Sequence, residues 1–222
     1  VITGHLALVL RTVNPRWWLP DLLNTALGSD RFQAQVFRRL RIEPWKNFKP
    51  YPQELLPWTE GSTQVDLTVR WENPPTLVFI ETKYHASPAT RVAADDGHSG
   101  LPSDQLIRNI RVGLYECGWF RPPGMFDVER ADFVFILLAP SGCERLVSRY
   151  RDDRRLRAAI PHNNRLAGLP ASPFIGELTY EDVRMVLTKH LNSYSRPERI
   201  LVETLTDYLR LKKKAAHTKR RR

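Results

Sequence analysis

The sequence predicts an α/β fold in which a central mixed β-sheet is flanked by helices. Residues 65–71 alternate strictly between apolar and polar side chains, which is typical of a half-buried strand. Residues 76–84 and 131–139 are almost continuously apolar, which favours strands buried on both faces. With 222 residues, 42% hydrophobic and 26% charged, the chain has the size and composition of one globular domain.

The remaining elements follow from spacing and capping residues. Asp21 is a candidate cap and Gly28 a candidate end for a short helix, and Ser103 is a candidate cap for a helix reaching Cys117. We expect a helix over residues 30–42, an extended connector over 43–60 and a long loop over 85–102. A further helix is expected over 142–159, a strand with its following helix over 174–191, and a last helix over 197–211.

A hairpin over residues 65–84 brings three charged residues together. If residues 72–75 form its loop, paired positions add to 147, so Asp66 faces Glu81 across the two strands. Lys83 lies two residues beyond Glu81 and therefore points to the same side. Two opposed carboxylates repel each other, and a divalent cation between them would remove that repulsion. The alternative is an ordinary solvated strand face, on which such residues are common.

The order of these residues resembles the PD-(D/E)XK nuclease superfamily, which has the restriction-endonuclease-like fold. The resemblance rests on Val65-Asp66, on Glu81-Thr82-Lys83 fifteen residues later, and on the helix that opens at Ser103-Asp104-Gln105. It continues to the segment 176–182 and covers about residues 30–190 within a single domain of residues 1–211. Two features depart from the family pattern: Val precedes Asp66, and no Glu lies in residues 29–42. Glu60 and Glu54 are the nearest substitutes, and for both a surface position is the simpler interpretation.

The resemblance implies a metal-dependent endonuclease that hydrolyses DNA. Asp66 and Glu81, with the carbonyl of Thr82, would hold Mg²⁺ or Mn²⁺, and the catalytic residues would be Asp66, Glu81, Lys83 and Gln105. For Gln105, bonding to the backbone at a helix start is an equal alternative. The resemblance also implies bacterial antiviral defence, with a homodimer or an activating partner protein. The two cysteines, which form no pair with metal-ligand spacing, favour a reducing compartment such as the cytoplasm.

The charge of the chain favours a nucleic acid partner. The formal net charge is +10, and cations of this density displace counterions from phosphate backbones. The candidate phosphate contacts are Arg149, Arg154 and Arg155 in an arginine-rich helix, and Lys212 and Lys213 at the start of a basic tail, 212–222, expected to be disordered. The aromatic residues Trp17, Trp18, Trp45, Tyr51 and Trp58 could stack on bases, but core packing is the simpler interpretation.

Other function classes find less support. The two cysteines, Cys117 and Cys143, have no metal-ligand spacing, and no apolar run has the length of a membrane span. No Gly-x-x-x-x-Gly-Lys stretch is present, so the sequence offers no phosphate-binding loop for nucleotide hydrolysis. The alternatives that stay open are a nucleic-acid-binding module without catalysis, a nuclease acting on RNA, and a structural partner in a larger complex.

Overall fold

The computed structural model describes residues 2–51, 56, 59–83, 96–97, 101–102, 105–120, 130–142 and 144–220. The helices are α1 (Ile2–Thr12), α2 (Leu19–Leu27), α3 (Gln105–Glu116), α4 (Glu144–Arg151), α5 (Asp153–Ala158), α6 (Tyr180–Lys189) and α7 (Arg196–Arg220). The strands are β1 (Arg38–Phe48), β2 (Thr63–Glu72), β3 (Thr76–Thr82), β4 (Asp96–Gly97), β5 (Leu101–Pro102), β6 (Asp132–Ala139) and β7 (Ile175–Thr179).

The main sheet has the order β1-β2-β3-β6-β7, which confirms the predicted α/β fold with a mixed sheet. The first three strands are antiparallel neighbours, whereas β6 and β7 run parallel to β3. A short turn joins β2 to β3, while the parallel pair β3 and β6 needs a crossover, which contains α3. The strand β3 is central, in agreement with its continuous apolar character.

Each face of the sheet carries its own apolar core. One core combines α1, α2, α6 and α7 with one side of the strands, including Val78, Ile80 and Ile136. The other combines α3, α4 and α5 with the alternate side, including Phe79 and Phe135. Because β3 and β6 are covered on both faces, the residues Leu77–Ile80 and Phe133–Ala139 are all apolar.

The predicted helix over residues 30–42 is wrong, since β1 begins at Arg38 and continues through the first part of the expected connector. Together, Phe32, Val36, Phe37 and Leu40 have the spacing of one helical stripe. Phe32 and Phe37 instead pack edge-on against Trp71 of β2, at ring-centroid distances of 6.0 and 5.0 Å. Pro44 lies within β1, which tolerates a proline because β1 is an edge strand of the sheet.

Other boundaries differ in smaller ways. Gly28 ends α2 in the left-handed conformation as predicted, with φ of 62°, but Asp21 lies inside the first turn and Trp18 is at the cap. The predicted helix 142–159 is broken at Asp152, whose side chain accepts from the backbone N–H of Arg155 and starts α5. The expected long loop lies largely outside the described residues, as do His98 and Ser103.

The expected disordered tail is helical as far as it is described. Helix α7 continues from Arg196 to Arg220 instead of ending at residue 211. The lysine and alanine residues after Leu211 are strong helix formers, and Lys213 forms an ion pair with Glu181 of α6 at 3.4 Å. Within the described residues, no helix combines the length and the apolar character needed to cross a membrane.

Candidate active site

The hairpin of β2 and β3 has the register that the sequence predicts. Its paired residues run from Trp71 opposite Thr76 to Leu67 opposite Ile80, so each pair adds to 147. Asp66 and Glu81 occupy the next position on each strand. They therefore lie at the end of β3, between the two cores.

Strand β2 changes its packing face at Asp66. Leu67 belongs to the core of α1 and α7, but Val65, two residues away, packs in the core of α3. The partner strand is irregular at the same level. Pro44 pairs with Leu67 and Lys46 with Val65, which places Trp45 opposite Asp66, and Trp45 has a φ of 52°. A bulky residue in this conformation is strained, and such strain is concentrated at functional positions.

The carboxylate of Asp66 is held by Thr82. Asp66 Oδ2 accepts from the Thr82 backbone N–H at 2.8 Å and from the Thr82 hydroxyl at 2.7 Å. The same hydroxyl lies 3.0 Å from the hydroxyl of Thr3, near the start of α1. Asp66 Oδ1 accepts no hydrogen bond from the described residues. One oxygen of this carboxylate is thus fixed, and the other is available to a ligand.

Glu81 is a buried carboxylate with a partner on each oxygen. The residue is only 2% exposed. Lys83 Nζ donates to Oε1 at 2.7 Å, and the amide of Asn109 on α3 donates to Oε2 at 3.1 Å. Burial raises the pKa of Glu81, the ammonium of Lys83 opposes this effect, and the negative charge of Asp66 adds to it. The two carboxylates are therefore close enough to repel each other.

Lys83 is anchored from several elements. Its Nζ also donates to Gln105 Oε1, the first residue of α3, at 2.7 Å. Its backbone N–H donates to Leu138 of β6 at 2.8 Å, and its carbonyl accepts from the hydroxyl of Tyr180 at 3.2 Å. The side chain is 32% exposed, so the ammonium faces solvent while its backbone is fixed. All four residues predicted to be catalytic thus meet in one cluster.

Glu60 is not the surface acid that the sequence suggested. It is 7% exposed and forms ion pairs with Arg108, at 2.6 Å, and with the fully buried Arg111. Burial lowers the pKa of Arg111, and the charge of Glu60 counteracts this. Both arginines lie on α3, so Glu60 fixes the helix that carries Gln105 and Asn109. Its carboxylate is already engaged and does not join the cluster. Glu54 lies outside the described residues.

The predicted phosphate contacts separate into two regions. Arg149, Arg154 and Arg155 are exposed on α4 and α5. Their neighbour Arg151 donates to the carbonyl of Ile175, at the start of β7. In the register of the sheet, Ile175 is level with Phe79, two residues before Glu81, and α4 and α5 pack on the face of the sheet that includes Phe79.

Lys212 and Lys213 lie on α7, which packs on the other face of the sheet. Lys213 pairs with Glu181, and the adjacent Tyr180 donates to the carbonyl of Lys83. The Nζ of Lys212 lies 5.3 Å from the ring centroid of Tyr208, which stacks on His5 of α1. The basic segment of α7 therefore begins beside the cluster.

Sequence reasoning missed Asn109 and Thr3. Asn109 is fully buried, and its Oδ1 accepts from the hydroxyl of Thr63 at 2.7 Å while its amide reaches Glu81. It lies four residues after Gln105, hence on the same helical face, and this spacing was the available signal. For Thr3 the sequence offered no signal, since its contact with Thr82 depends on how α1 packs on the sheet.

The donor set of the cluster suits a hard divalent cation. Among the residues that the structure describes, no three His, Cys, Asp or Glu side chains are grouped so that they could hold a metal ion. Two carboxylates are grouped, those of Asp66 and Glu81, and with Lys83 they leave a formal charge of −1. The unbonded Oδ1 of Asp66 and the carbonyl of Thr82 are oxygen ligands of the type that Mg²⁺ and Mn²⁺ prefer, with water completing the shell.

No family model, no curated protein and no solved structure matches this chain.

Proposed function

We propose that the protein is a metal-dependent nuclease that hydrolyses phosphodiester bonds in nucleic acid, most readily DNA. One observation carries the proposal: Asp66 and Glu81 are opposed across two neighbouring strands with their charges close together, and Lys83 bridges Glu81 to Gln105. This arrangement confers no obvious stability, because opposed carboxylates of which one is buried are costly. It is suited to a reaction in which negative charge develops on a phosphate.

Asp66, Glu81 and the Thr82 carbonyl would hold Mg²⁺ or Mn²⁺. When bound, the metal would supply Lewis acidity toward the phosphate and lower the pKa of a coordinated water. The role of the protein's own side chains is to hold the metal ligands in position. Asp66 is fixed through Thr82, and Glu81 is fixed by Lys83 and Asn109.

Lys83 and Gln105 take the roles closest to the reacting atoms. The ammonium of Lys83 is partly exposed beside both carboxylates, where it can stabilise charge that develops on phosphate oxygens or orient the attacking water. The Gln105 side chain holds Lys83 from the outer side and can position a water or a phosphate oxygen.

Nucleic acid as the substrate is supported by charge. The net charge of +10 favours a polyanion, and the basic segment of α7 that contains Lys212 and Lys213 begins beside the cluster. The choice of DNA, the role in antiviral defence and an activating partner or second copy rest on the resemblance to PD-(D/E)XK nucleases alone, and the cytoplasmic location rests on the cysteine content.

One observation favours a binding module without catalysis. Both oxygens of Glu81 already have partners, so the cluster could be a closed structural network. Oδ1 of Asp66, which accepts no hydrogen bond from the described residues, and the partly exposed side chain of Lys83 fit that alternative less well.

The test is cleavage of supercoiled plasmid, linear single-stranded DNA and single-stranded RNA with Mg²⁺ or Mn²⁺. We expect DNA cleavage that EDTA abolishes and that Asp66→Ala and Lys83→Ala both lose while their circular dichroism is unchanged. Binding without cleavage, equal in wild type and both variants, would support the binding module. Faster cleavage of RNA than of DNA would assign the same chemistry to RNA.

A further inference from the structure

A basic groove leads along β1 to the candidate active site. It lies between α1 and β1 and has a volume of about 360 Å³. The residues that line it are Leu10, Arg11, Pro15, Leu40, Arg41, Ile42 and Glu43. Arg11 and Arg41 are exposed residues of this lining, and Leu10, Leu40 and Ile42 are its apolar residues.

Trp45 lies on β1 beyond one end of this groove. The indole is 46% exposed, contrary to the expectation that it packs in the core, whereas Trp18 and Tyr51 are buried as expected. Its edge rests on α1, since a Cβ added at Gly4 would lie 3.1 Å from Trp45 Cη2. Gly4 follows Thr3, whose hydroxyl contacts Thr82, and Trp45 itself is opposite Asp66. The residue that carries this exposed ring is therefore a cross-strand neighbour of Asp66.

The groove and Trp45 form one track. Arg41 and Trp45 are four positions apart on β1, so their Cα atoms are separated by about 13 Å at the rise of a β-strand. Helix α1 runs alongside in the opposite direction, since Gly4 contacts Trp45 and Arg11 lines the groove. The charged groups along the track are Arg11, Arg41, Glu43 and Lys46, of which Glu43 and Lys46 pair with each other at 2.5 Å. The two arginines give it a net positive charge.

We propose that this track binds single-stranded nucleic acid, with a base stacked on Trp45 next to the scissile phosphate and the backbone held by Arg41 and Arg11. The identity of the substrate as a nucleic acid rests on the proposed function. The new elements are that the bound nucleic acid is single-stranded and that it follows the track along β1. Aromatic stacking requires a base that is free of its duplex neighbours, and arginine contacts to the backbone add affinity without sequence preference. A duplex keeps its bases stacked inside and cannot offer one to Trp45.

The experiment measures binding separately from cleavage. Fluorescence anisotropy of a labelled oligothymidylate in EDTA gives the dissociation constant for wild type, Trp45→Leu and the double variant Arg11→Gln/Arg41→Gln. The matched controls are Tyr115→Leu, an aromatic residue 39% exposed near the far end of α3, and Arg130→Gln/Arg165→Gln, at residues just before β6 and in the 3-10 turn that ends at Arg165. A more conservative variant, Trp45→Phe, guards against loss of folding.

We expect Trp45→Leu to weaken binding about tenfold with an unchanged salt dependence, and Trp45→Phe to retain most of the affinity. The double arginine variant should lower the slope of log K against log salt by about 1.4, that is, about 0.7 for each phosphate contact. The controls should behave as wild type, and a hairpin duplex should compete weakly.

Two results would overturn the proposal. One is equal binding by wild type and Trp45→Leu; the other is a duplex that competes as well as the single strand. Failure of the proposed function gives a different pattern, in which the track variants lose affinity as expected but the wild type cleaves nothing with Mg²⁺ or Mn²⁺.

Discussion

The side-chain amide of Asn109 donates a hydrogen bond of 3.1 Å to Glu81 Oε2, from a position with no solvent exposure. The hydroxyl of Thr63 fixes the orientation of this amide by donating to Asn109 Oδ1. Lys83 holds the other oxygen of Glu81. The carboxylate is thus fixed in one orientation before any ligand binds.

Replacement of Asn109 should therefore weaken metal binding. We expect Asn109→Ala to reduce the affinity for Mn²⁺ about 10- to 100-fold, because outer partners of a ligand orient it. Isothermal titration with Mn²⁺ measures this directly, without any need for turnover. Asn163→Ala is the control, since Asn163 bonds the carbonyl of Arg157 in an exposed turn. Equal affinities in wild type and Asn109→Ala would show that Asn109 has only a packing role.

The buried pair of Glu60 and Arg111 should contribute strongly to stability. In Glu60→Gln the guanidinium of Arg111, which has no exposure, would lose its counter-charge, and we expect a loss of about 3–5 kcal/mol in the free energy of unfolding. Urea denaturation followed by circular dichroism measures this loss. Glu72→Gln breaks the exposed pair with Arg39 and should cost at most about 1 kcal/mol. Similar losses in the two variants would contradict the structural role assigned to Glu60.

Gly176 should not tolerate a side chain. A Cβ at this position of β7 would lie 2.4 Å from the carbonyl oxygen of Ala26, so α2 would have to move away from the sheet. We expect Gly176→Ala to lower the free energy of unfolding by about 1–3 kcal/mol. Gly142→Ala meets nothing within 4 Å and should behave as wild type in the same thermal melt. Identical melting of the two variants would mean that α2 does not lie this close to β7.

The ion pair that joins α2 to α6 should make stability depend on pH. Burial alone raises the pKa of Asp21, but hydrogen bonds and charges from Lys189 and His190 outweigh it and hold the pKa below its ordinary value of 3.8. A lowered folded-state pKa stabilises the protein above 3.8, and this contribution is lost as the pH falls through the folded-state pKa. Asp21→Asn should thus be less stable than wild type near neutral pH and should approach it in acid. A difference in urea midpoint that stays constant with pH would argue against this linkage.

Much of the fold could be predicted because its signals are local. The register of β2 and β3 follows from matching Leu67 with Ile80 and Val69 with Val78, and a slip of one residue would have exposed both strands. The segment 30–42 was misjudged because Phe32 and Phe37 share a spacing with a helical stripe, although their actual partner is Trp71, more than thirty residues away. A period in the sequence does not show such a long-range contact.

In the candidate site too, local signals predict some of the residues, whereas others depend on long-range packing. Asp66, Glu81 and Lys83 could be placed together because a hairpin and a strand period fix their sides. The burial of Glu60 could not, since it depends on Arg108 and Arg111 of a helix that packs from elsewhere. The exposure of Trp45 depends on the irregular backbone of β1, and no pattern in the sequence of β1 predicts that irregularity.

The single-turnover cleavage rate of DNA in Mn²⁺, measured for four matched variants, tests whether Asp66 and Lys83 are catalytic. Asp66→Asn and Lys83→Gln remove a charge from the cluster, whereas Asp207→Asn and Lys189→Gln remove one from pairs elsewhere on the surface. We expect a loss of about a hundredfold or more in the first two, with native circular dichroism, and rates close to wild type in the other two. Cleavage by Asp66→Asn and Lys83→Gln at the wild-type rate would contradict the assignment of this cluster as the catalytic centre.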